Sequence, residues 1–570
     1  MNLLFFSPYA IIDDWRFSEL QLQKSLSIDN QVKIIGCKGI LKKSCIAIKA
    51  HSKFYKNKKN IKKICNRCIK NQKHYNKDFE TFYLENYVSK EDIDLANLEL
   101  SKINKNNFVN FIFEKFEIGK IALFENMLIF KKNSLNFTDK EFEEIKYSIR
   151  DIIIFYIFLK KICKIYNPDL AFYQNGNYSI SKILNLYFKD KKKITYSWEA
   201  SNSYHNRFEK LFLTKNDNNF GLNYIKNNWD NLLKKKQISE KNLYSVNNHF
   251  KTIFSAKALR SFSKKYSSSE SKLREYYSIN ESKIILLSTS SWDEIVGTYI
   301  LKNKNFDKLL IFKNQPEWLD KVINYFKKNK NYRLIIRPHP RDFFNKNSEV
   351  NNYLKKIDKL PKNITLNKPD HKISLYTILK DTDLVLNSWS TLGLEAGILN
   401  LPVISISKEL LMYPTEIEYF QNNEKEYFLK IEEILNNNNN LFDLKYCKNF
   451  YNFMIALIEH SSIDLNLDRN RQLYKLYKVI NKASFFFSSK SILKSYLGKA
   501  KDLQSINKIL NKFIYEKKNV LNEIIDKNTN KTNDIDYLKA YLEITSYVLK
   551  NDKTSKLFKK VQSLRNQIIS

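Results

Sequence analysis

Short apolar runs that alternate with segments of helical periodicity, in two separate stretches, constrain this chain more than any other feature. In the first stretch Leu3 to Phe6, Phe17 to Leu26 and Val32 to Gly36 read as strand, helix, strand, the opening of an α/β layer. The alternation resumes with Asp169 to Tyr173, Ser179 to Phe188 and Ile194 to Trp198, which extend the same sheet. In the second stretch the strands are Lys283 to Leu287, Arg333 to Ile336, Ile364 to Leu366, Leu384 to Leu386 and Val403 to Ile406, separated by helical segments such as Trp318 to Lys328 and Ser374 to Lys380. Strands joined by crossover helices pair in parallel, and a sheet of that kind binds ligands at its carboxyl edge.

At 570 residues the chain is too long for one core. Ser261 to Lys272, with six serines and three lysines, buries little apolar surface and is the expected linker. The expected division is a first α/β domain over 1–260, the linker 261–272, a second α/β domain over 273–435 and a helical tail over 436–570. After the asparagine tract Asn436 to Asn440 the tail has one glycine and no proline. The expected class is thus α/β, two doubly wound Rossmann-like domains facing a cleft, with a helical C-terminal extension.

A 43% hydrophobic content with 14% aromatics excludes global disorder. The formal charge of +37 raises nucleic acid as a partner, but lysine is spread along the whole length without a basic stripe, so none is expected. Such a charge does favour an anionic membrane surface or phosphorylated substrates. The longest clean apolar run, Ile152 to Leu159, is far short of the roughly 20 residues of a membrane helix. The start, Met1 to Pro8, reads as a buried strand rather than a signal peptide. A cytoplasmic location follows as the expectation, peripheral on the inner face of the membrane at most.

Two motifs stand where strands of the second stretch end. Arg337-Pro338-His339-Pro340-Arg341-Asp342-Phe343 follows an apolar run, and a residue before proline is pushed out of the helical region, so Arg337 and His339 are extended and stiff. Ser388-Trp389-Ser390-Thr391-Leu392-Gly393-Leu394-Glu395-Ala396 reads as the loop and helix start after another strand, where free amides bind phosphate. With nine glycines the chain has no G-x-G-x-x-G and no G-x-x-x-x-G-K-[ST], which disfavours a dinucleotide oxidoreductase or a Walker-type NTPase.

Cys37, Cys45, Cys65 and Cys68 fall within a lysine-rich insertion near 37–77. Four thiols in one region are the donor set of a structural zinc site. Ordinary loop thiols are the other reading, and the seven residues between Cys37 and Cys45 weigh toward it. Cys163 and Cys447 lie in apolar helical contexts and are expected in cores.

With these residues in view, the second domain resembles the capsule polysaccharide biosynthesis family, which includes Kdo transferases, and more loosely the bacterial sialyl- and polysialyltransferases. The resemblance covers residues 270 to 430. It rests on Arg337-Pro338-His339-Pro340, similar to the family's His-Pro motif; on Ser388-Trp389-Ser390-Thr391 with Gly393, Glu395-Ala396 and Pro402, similar to its Ser/Thr motif; and on Ser291-Trp292-Asp293, similar to its Asn-x-x-Trp-Asp. In the first domain Trp198-Glu199-Ala200-Ser201 looks like the family's Trp-Glu-Asp-Gly, with alanine and serine in place of aspartate and glycine.

The resemblance implies a two-domain, B-type glycosyltransferase that moves a sugar from a nucleotide sugar, a CMP-linked acid sugar being favoured. The acceptor would be a surface or capsular polysaccharide or a lipid-linked glycan. Arg337 and His339 would neutralise the leaving phosphate, Ser390, Thr391 and the following amides would complete the cradle, and no metal or other cofactor would be required. Ser388 would face the ligand and Asp293 would belong to the donor site. Several alternatives stay open at this point. Arg337 could make an ion pair, Trp389 could fill core, and Glu395 could either serve the helix dipole or bond the ribose hydroxyls. Glu199 is the chosen general base, with Asp293, Asp13 and Asp14 as competitors. A CDP-glycerol transferase, a UDP-sugar 2-epimerase and a non-catalytic assembly protein are the rival functions.

Overall fold

The computed structural model describes residues 1–49, 60–234, 238–257, 273–279, 282–301, 310–343, 345–346, 348–357, 359–407, 413–437, 442–465, 467–468, 499–500, 502–521, 532–550 and 552–569. The expected linker 261–272 lies outside them.

Two sheets organise the chain. The first runs in the order β3 (Glu80–Tyr83), β2 (Gln31–Gly36), β1 (Asn2–Phe6), β4 (Leu170–Gln174), β5 (Ile194–Ala200), β6 (Lys210–Lys215) and β13 (Ser462–Asp464). The pairs from β3 to β5 are parallel, whereas β6 lies antiparallel to β5 and β13 antiparallel to β6. The second runs β9 (Ile364–Leu366), β8 (Tyr332–Arg337), β7 (Lys283–Ser288), β10 (Leu384–Asn387), β11 (Val403–Ser405) and β12 (Tyr419–Phe420), parallel throughout. Counted within each sheet, both share the doubly wound order 3-2-1-4-5, in which the direction of winding reverses between the first and fourth strands. These are two Rossmann-like domains.

The strand sequences explain this pairing. Ile284, Ile285, Leu286 and Leu287 of β7 are all fully buried, as a parallel strand covered by helices on both faces must be. Along β1 the pleat sends Leu3 and Phe5 to one core and Leu4 and Phe6 to another, and Phe5 stacks on Phe172 of β4 at 4.5 Å between ring centroids. The run Ile152 to Leu159 lies inside helix Asp139–Tyr166, where Ile152 through Tyr156, Phe158 and Leu159 are buried against the first sheet. A capping box of Thr138 and Glu141 starts that helix. No helix among the described residues is long and apolar enough to cross a membrane.

Helix Asp293–Leu301 of the second domain packs along helix Ile118–Phe130 of the first. Gly297 permits the approach, since a Cβ there would stand 3.1 Å from Cα of Phe124. Asn345 of the second domain also donates to the carbonyl of Lys131 in the first at 2.7 Å.

The segment expected as a helical tail is woven through both domains and is not purely helical. Helix Leu444–Ile458 packs against helices Asn218–Lys234 and Glu240–Phe254, then leads into β13 on the edge of the first sheet. Three residues are too few to display a strand's alternation in sequence. Beyond it, helix Leu503–Tyr515 covers helix Asp13–Leu26, with Asn511 donating to Asp29 at 3.0 Å. Helix Asp534–Leu549 lies on Glu240–Phe254, and Asn247 donates to the Ala540 carbonyl and to Glu543 at 2.9 and 2.7 Å. Lys380 of the second domain pairs with Asp552 at 2.5 Å with its side chain only 4% exposed. Removing one partner leaves the other charge poorly solvated. Lys380→Met is expected to lower unfolding stability by about 2 kcal/mol, read as a shift of the guanidinium midpoint at unchanged slope.

Candidate functional site

The reversal of strand order in the second sheet falls between β7 and β10, and the motif residues other than Pro402 stand at the carboxyl ends of β7, β8 and β10 or in the segments that follow them. A crevice opens at such a point because neighbouring crossovers leave on opposite faces. Hydrogen bonds tie the three loops together. Thr289 accepts the His339 amide on Oγ1 at 3.0 Å and gives its own amide to the Arg337 carbonyl at 3.3 Å. Ser290 accepts the Trp389 amide at 2.7 Å, and the Trp292 indole donates to Ser388 Oγ at 3.1 Å.

His339 stands at the rim, half-buried, with its carbonyl accepting the amides of Asp342 and Phe343. Burial, then the charges of Arg341 and Lys131, press its pKa down to about 4. The imidazole is neutral at pH 7 and does not bring the positive charge expected of it. The cation beside it is Arg341, paired with Asp293, whose other oxygen accepts from Ser291 at 2.6 Å. Asp293 is thereby engaged in holding Arg341, a role that differs from direct donor contact.

Two other expected ligand-facing residues are turned away. Arg337 is buried, and its guanidinium donates to the carbonyls of Asn367, Lys368 and Pro369 at 3.4, 2.6 and 3.3 Å and to Asn367 Oδ1. It ties the loop after β9 to β8 and makes no ion pair among the described residues. Burial lowers its pKa to about 10, so it keeps its charge at neutral pH. Ser388 is fully buried and accepts from Trp292. Trp389 packs partly buried against the second-domain core.

Ser390, Thr391 and Glu395 stand in the loop and short helix that follow β10. Ser390 Oγ accepts the Leu392 amide at 3.3 Å, and its carbonyl accepts from Asn387, Gly393 and Tyr413 at 3.0, 3.1 and 2.8 Å. Thr391 is exposed and donates to Glu395 Oε1 at 3.4 Å, whereas Glu395 Oε2 is buried with no hydrogen-bond partner among the described residues. Burial pushes the Glu395 carboxyl up to about 8. Behind the loop lies Glu418, which the sequence did not single out. It is 2% exposed, and neither oxygen has a hydrogen-bond partner among the described residues. Burial raises its pKa, and the Asn387 amide close by opposes that only in part. Gly393 makes room for it, since a Cβ there would lie 1.8 Å from Glu418 Oε1.

On the first domain, Glu199 is the penultimate residue of β5 at the carboxyl edge, half-buried and pointing to the sheet face opposite Trp198. The side chains of Asp13 and Asp14 lie outside the description. Cys37, Cys45, Cys65 and Cys68 line one cavity together with Pro8, Tyr9 and Gln72. Burial pushes Cys45 up to about 12 and Cys68 to about 11. No group of three His, Cys, Asp or Glu side chains among the described residues converges as a metal site. Cys447 is a core residue, whereas Cys163 is partly buried against the core of the first domain.

The fold defines a class: two doubly wound, Rossmann-like α/β domains, with the motif loops of the second gathered at the carboxyl edge of its sheet. No family model and no curated protein matches the chain. Among solved structures it is similar to the beta Kdo 2,4 transferase KpsC of Thermosulfurimonas dismutans, at 11% identity and a TM-score of 0.31 over 46% of this chain and 75% of that one. It is similar to the UDP-GlcNAc 2-epimerase of Methanocaldococcus jannaschii, at 14% identity and a TM-score of 0.29 over 80% and 98% of the two chains. The spinosyn rhamnosyltransferase SpnG is similar at 8% identity and a TM-score of 0.23 over 80% and 96%.

Because the buried Arg337 guanidinium donates to the carbonyls of three successive loop residues, Asn367, Lys368 and Pro369, Arg337→Met is expected to cost about 2 to 4 kcal/mol of stability. Urea unfolding followed by circular dichroism measures it.

Proposed function

We propose that this protein is a glycosyltransferase that takes a sugar from a nucleotide donor, a CMP-linked acid sugar being favoured, and passes it to a surface or capsular polysaccharide or a lipid-linked glycan. One observation carries the reading. Glu395 Oε2 is a buried acceptor with no partner among the described residues, beside exposed Thr391 at the switch point of a doubly wound sheet. A buried acceptor left unpaired is costly, and the vicinal hydroxyls of a ribose would satisfy it.

In this reading the nucleotide lies on the second domain with its ribose at Glu395 and a phosphate toward Ser390, Thr391 and His339. The acceptor hydroxyl attacks the anomeric carbon as the bond to the phosphate oxygen breaks. Glu199 takes the hydroxyl proton, and the neutral His339 donates a hydrogen bond to the departing phosphate. No metal enters this account, and EDTA should leave the rate unchanged. An anionic membrane surface is a further partner suggested by the charge of +37.

Calorimetry with CMP, CDP and UDP tests the donor assignment. Tight CMP binding lost in His339→Ala supports it, and preference for UDP or equal binding by the variant overturns it. Conversion of a UDP-sugar without any acceptor would mark an epimerase. Glu199→Gln should reduce kcat by about 10² or more while nucleotide affinity stays within twofold or so, and an unchanged kcat would remove Glu199 as base.

Ribose hydroxyls favour the ionised carboxylate, so binding lowers a Glu395 pKa that stands at about 8 in the free protein. Nucleotide binding at pH 7.5 should therefore release protons, and affinity should rise with pH up to about 8. Titration in buffers of different ionisation enthalpy detects the release, and Glu395→Gln should abolish it.

A further inference from the structure

With Arg337 committed to backbone carbonyls and Arg341 to Asp293, the crevice has little uncommitted positive charge of its own. The loop over 201–209, which follows β5 on the first domain, holds some. Its backbone closes on itself: the Ser201 amide bonds the Arg207 and Lys210 carbonyls at 2.9 and 3.1 Å, and the Glu209 amide bonds the Asn206 carbonyl at 3.0 Å. The Tyr204 amide donates to His249 Nδ1 at 3.0 Å, fastening the loop to helix Glu240–Phe254.

Its side chains are less satisfied than its backbone. Ser203 Oγ, Asn206 Oδ1 and Arg207 Nε are buried with no hydrogen-bond partner among the described residues. Arg207 has no carboxylate beside it there. Its guanidinium instead lies over the Tyr204 ring, 5.3 Å from the centroid, a contact that leaves its hydrogen-bond donors unspent. The Tyr204 hydroxyl in turn lies close enough to that of Tyr413, from the second domain, to interact electrostatically with it. Tyr413 donates to the Ser390 carbonyl at 2.8 Å. A continuous line of side chains thus leads from an unpaired cation on the first domain to the Ser/Thr loop on the second. The two carboxyls at that loop, Glu395 and Glu418, are held toward their protonated forms by burial, so they do not neutralise it.

We propose that Arg207 binds a phosphate ester across the crevice, the phosphate of the nucleotide held on the second domain, so that donor binding latches the loop over 201–209 against Tyr413. Planar guanidinium groups match phosphate oxygens in bidentate fashion, and a buried Nε without an acceptor is the donor such a ligand would fill. This rests on the nucleotide-binding reading above. The other source of the same chemistry is a phosphorylated lipid acceptor.

The test is calorimetry on the full-length chain and its Arg207→Gln and Arg207→Lys variants, using CMP, UDP, the nucleosides cytidine and uridine, and phosphatidylglycerol vesicles. Expected is a loss of about tenfold or more in affinity for the better-binding nucleotide in Arg207→Gln, a smaller loss in Arg207→Lys, and unchanged nucleoside affinity. Thermal melting of both variants within a few degrees of wild type separates the effect from misfolding. Equal nucleotide binding by wild type and Arg207→Gln overturns the inference and leaves the donor reading standing. So does loss of vesicle binding with nucleotide affinity intact, which assigns the phosphate to the lipid. A wild type that binds neither nucleotide overturns both.

Discussion

The segment Thr289 to Asp293, at the end of β7, is what the rest of the site depends on. β7 is the central strand of the second sheet, flanked by β8 and β10, and its loop spends nearly every side chain on a neighbour. Thr289 holds the His339 amide, Ser290 the Trp389 amide, Trp292 the Ser388 hydroxyl and Asp293 the Arg341 guanidinium. Loops at a sheet edge are free to move unless their polar groups are satisfied elsewhere. Here they are satisfied by one another, so the strand ends form a preorganised rim before any ligand arrives.

Beside the Asp293–Arg341 pair, three titratable groups near that rim are pushed toward their neutral forms. His339 has been stripped of its proton by burial and by two nearby cations, while Glu395 and Glu418 tend to keep theirs because burial disfavours the carboxylate. Groups in these protonation states can engage a partner through directed hydrogen bonds and contribute little charge of their own. The packing of helix Asp293–Leu301 on helix Ile118–Phe130 brings the domains together at one end, through the Gly297–Phe124 approach. The tail adds further ties, among them β13 on the first sheet and Lys380–Asp552 on the second domain.

Much of this was legible in the residues. The buried runs of β1, β4, β5, β7, β8, β10 and β11 announced themselves because strands covered on both faces are apolar without interruption. The proline frame around His339 and the polar run from Ser388 to Thr391 marked the loops that leave those strands. Strands β3, β6, β12 and β13 did not stand out, since each is an edge or near-edge strand whose apolar signal is short or mixed. Arg337 and Ser388 were read as facing a ligand because they stand in the motifs at the strand ends; their direction depends on carbonyls at 367–369 and on an indole at Trp292. Glu418 and Arg207 carry no local pattern, and only their buried, unsatisfied atoms reveal them.

The sequence by itself determined the periodicities, and with them two parallel α/β layers and the loops at which their strands end, because burial on a strand or helix is a property of adjacent residues. The tertiary structure decided which side chains in those loops are spent and which remain available. Hydrogen bonds between residues far apart in the chain, such as Trp292 to Ser388 and Arg337 to Lys368, consume some polar groups and leave others, as at Glu395, in need of a partner.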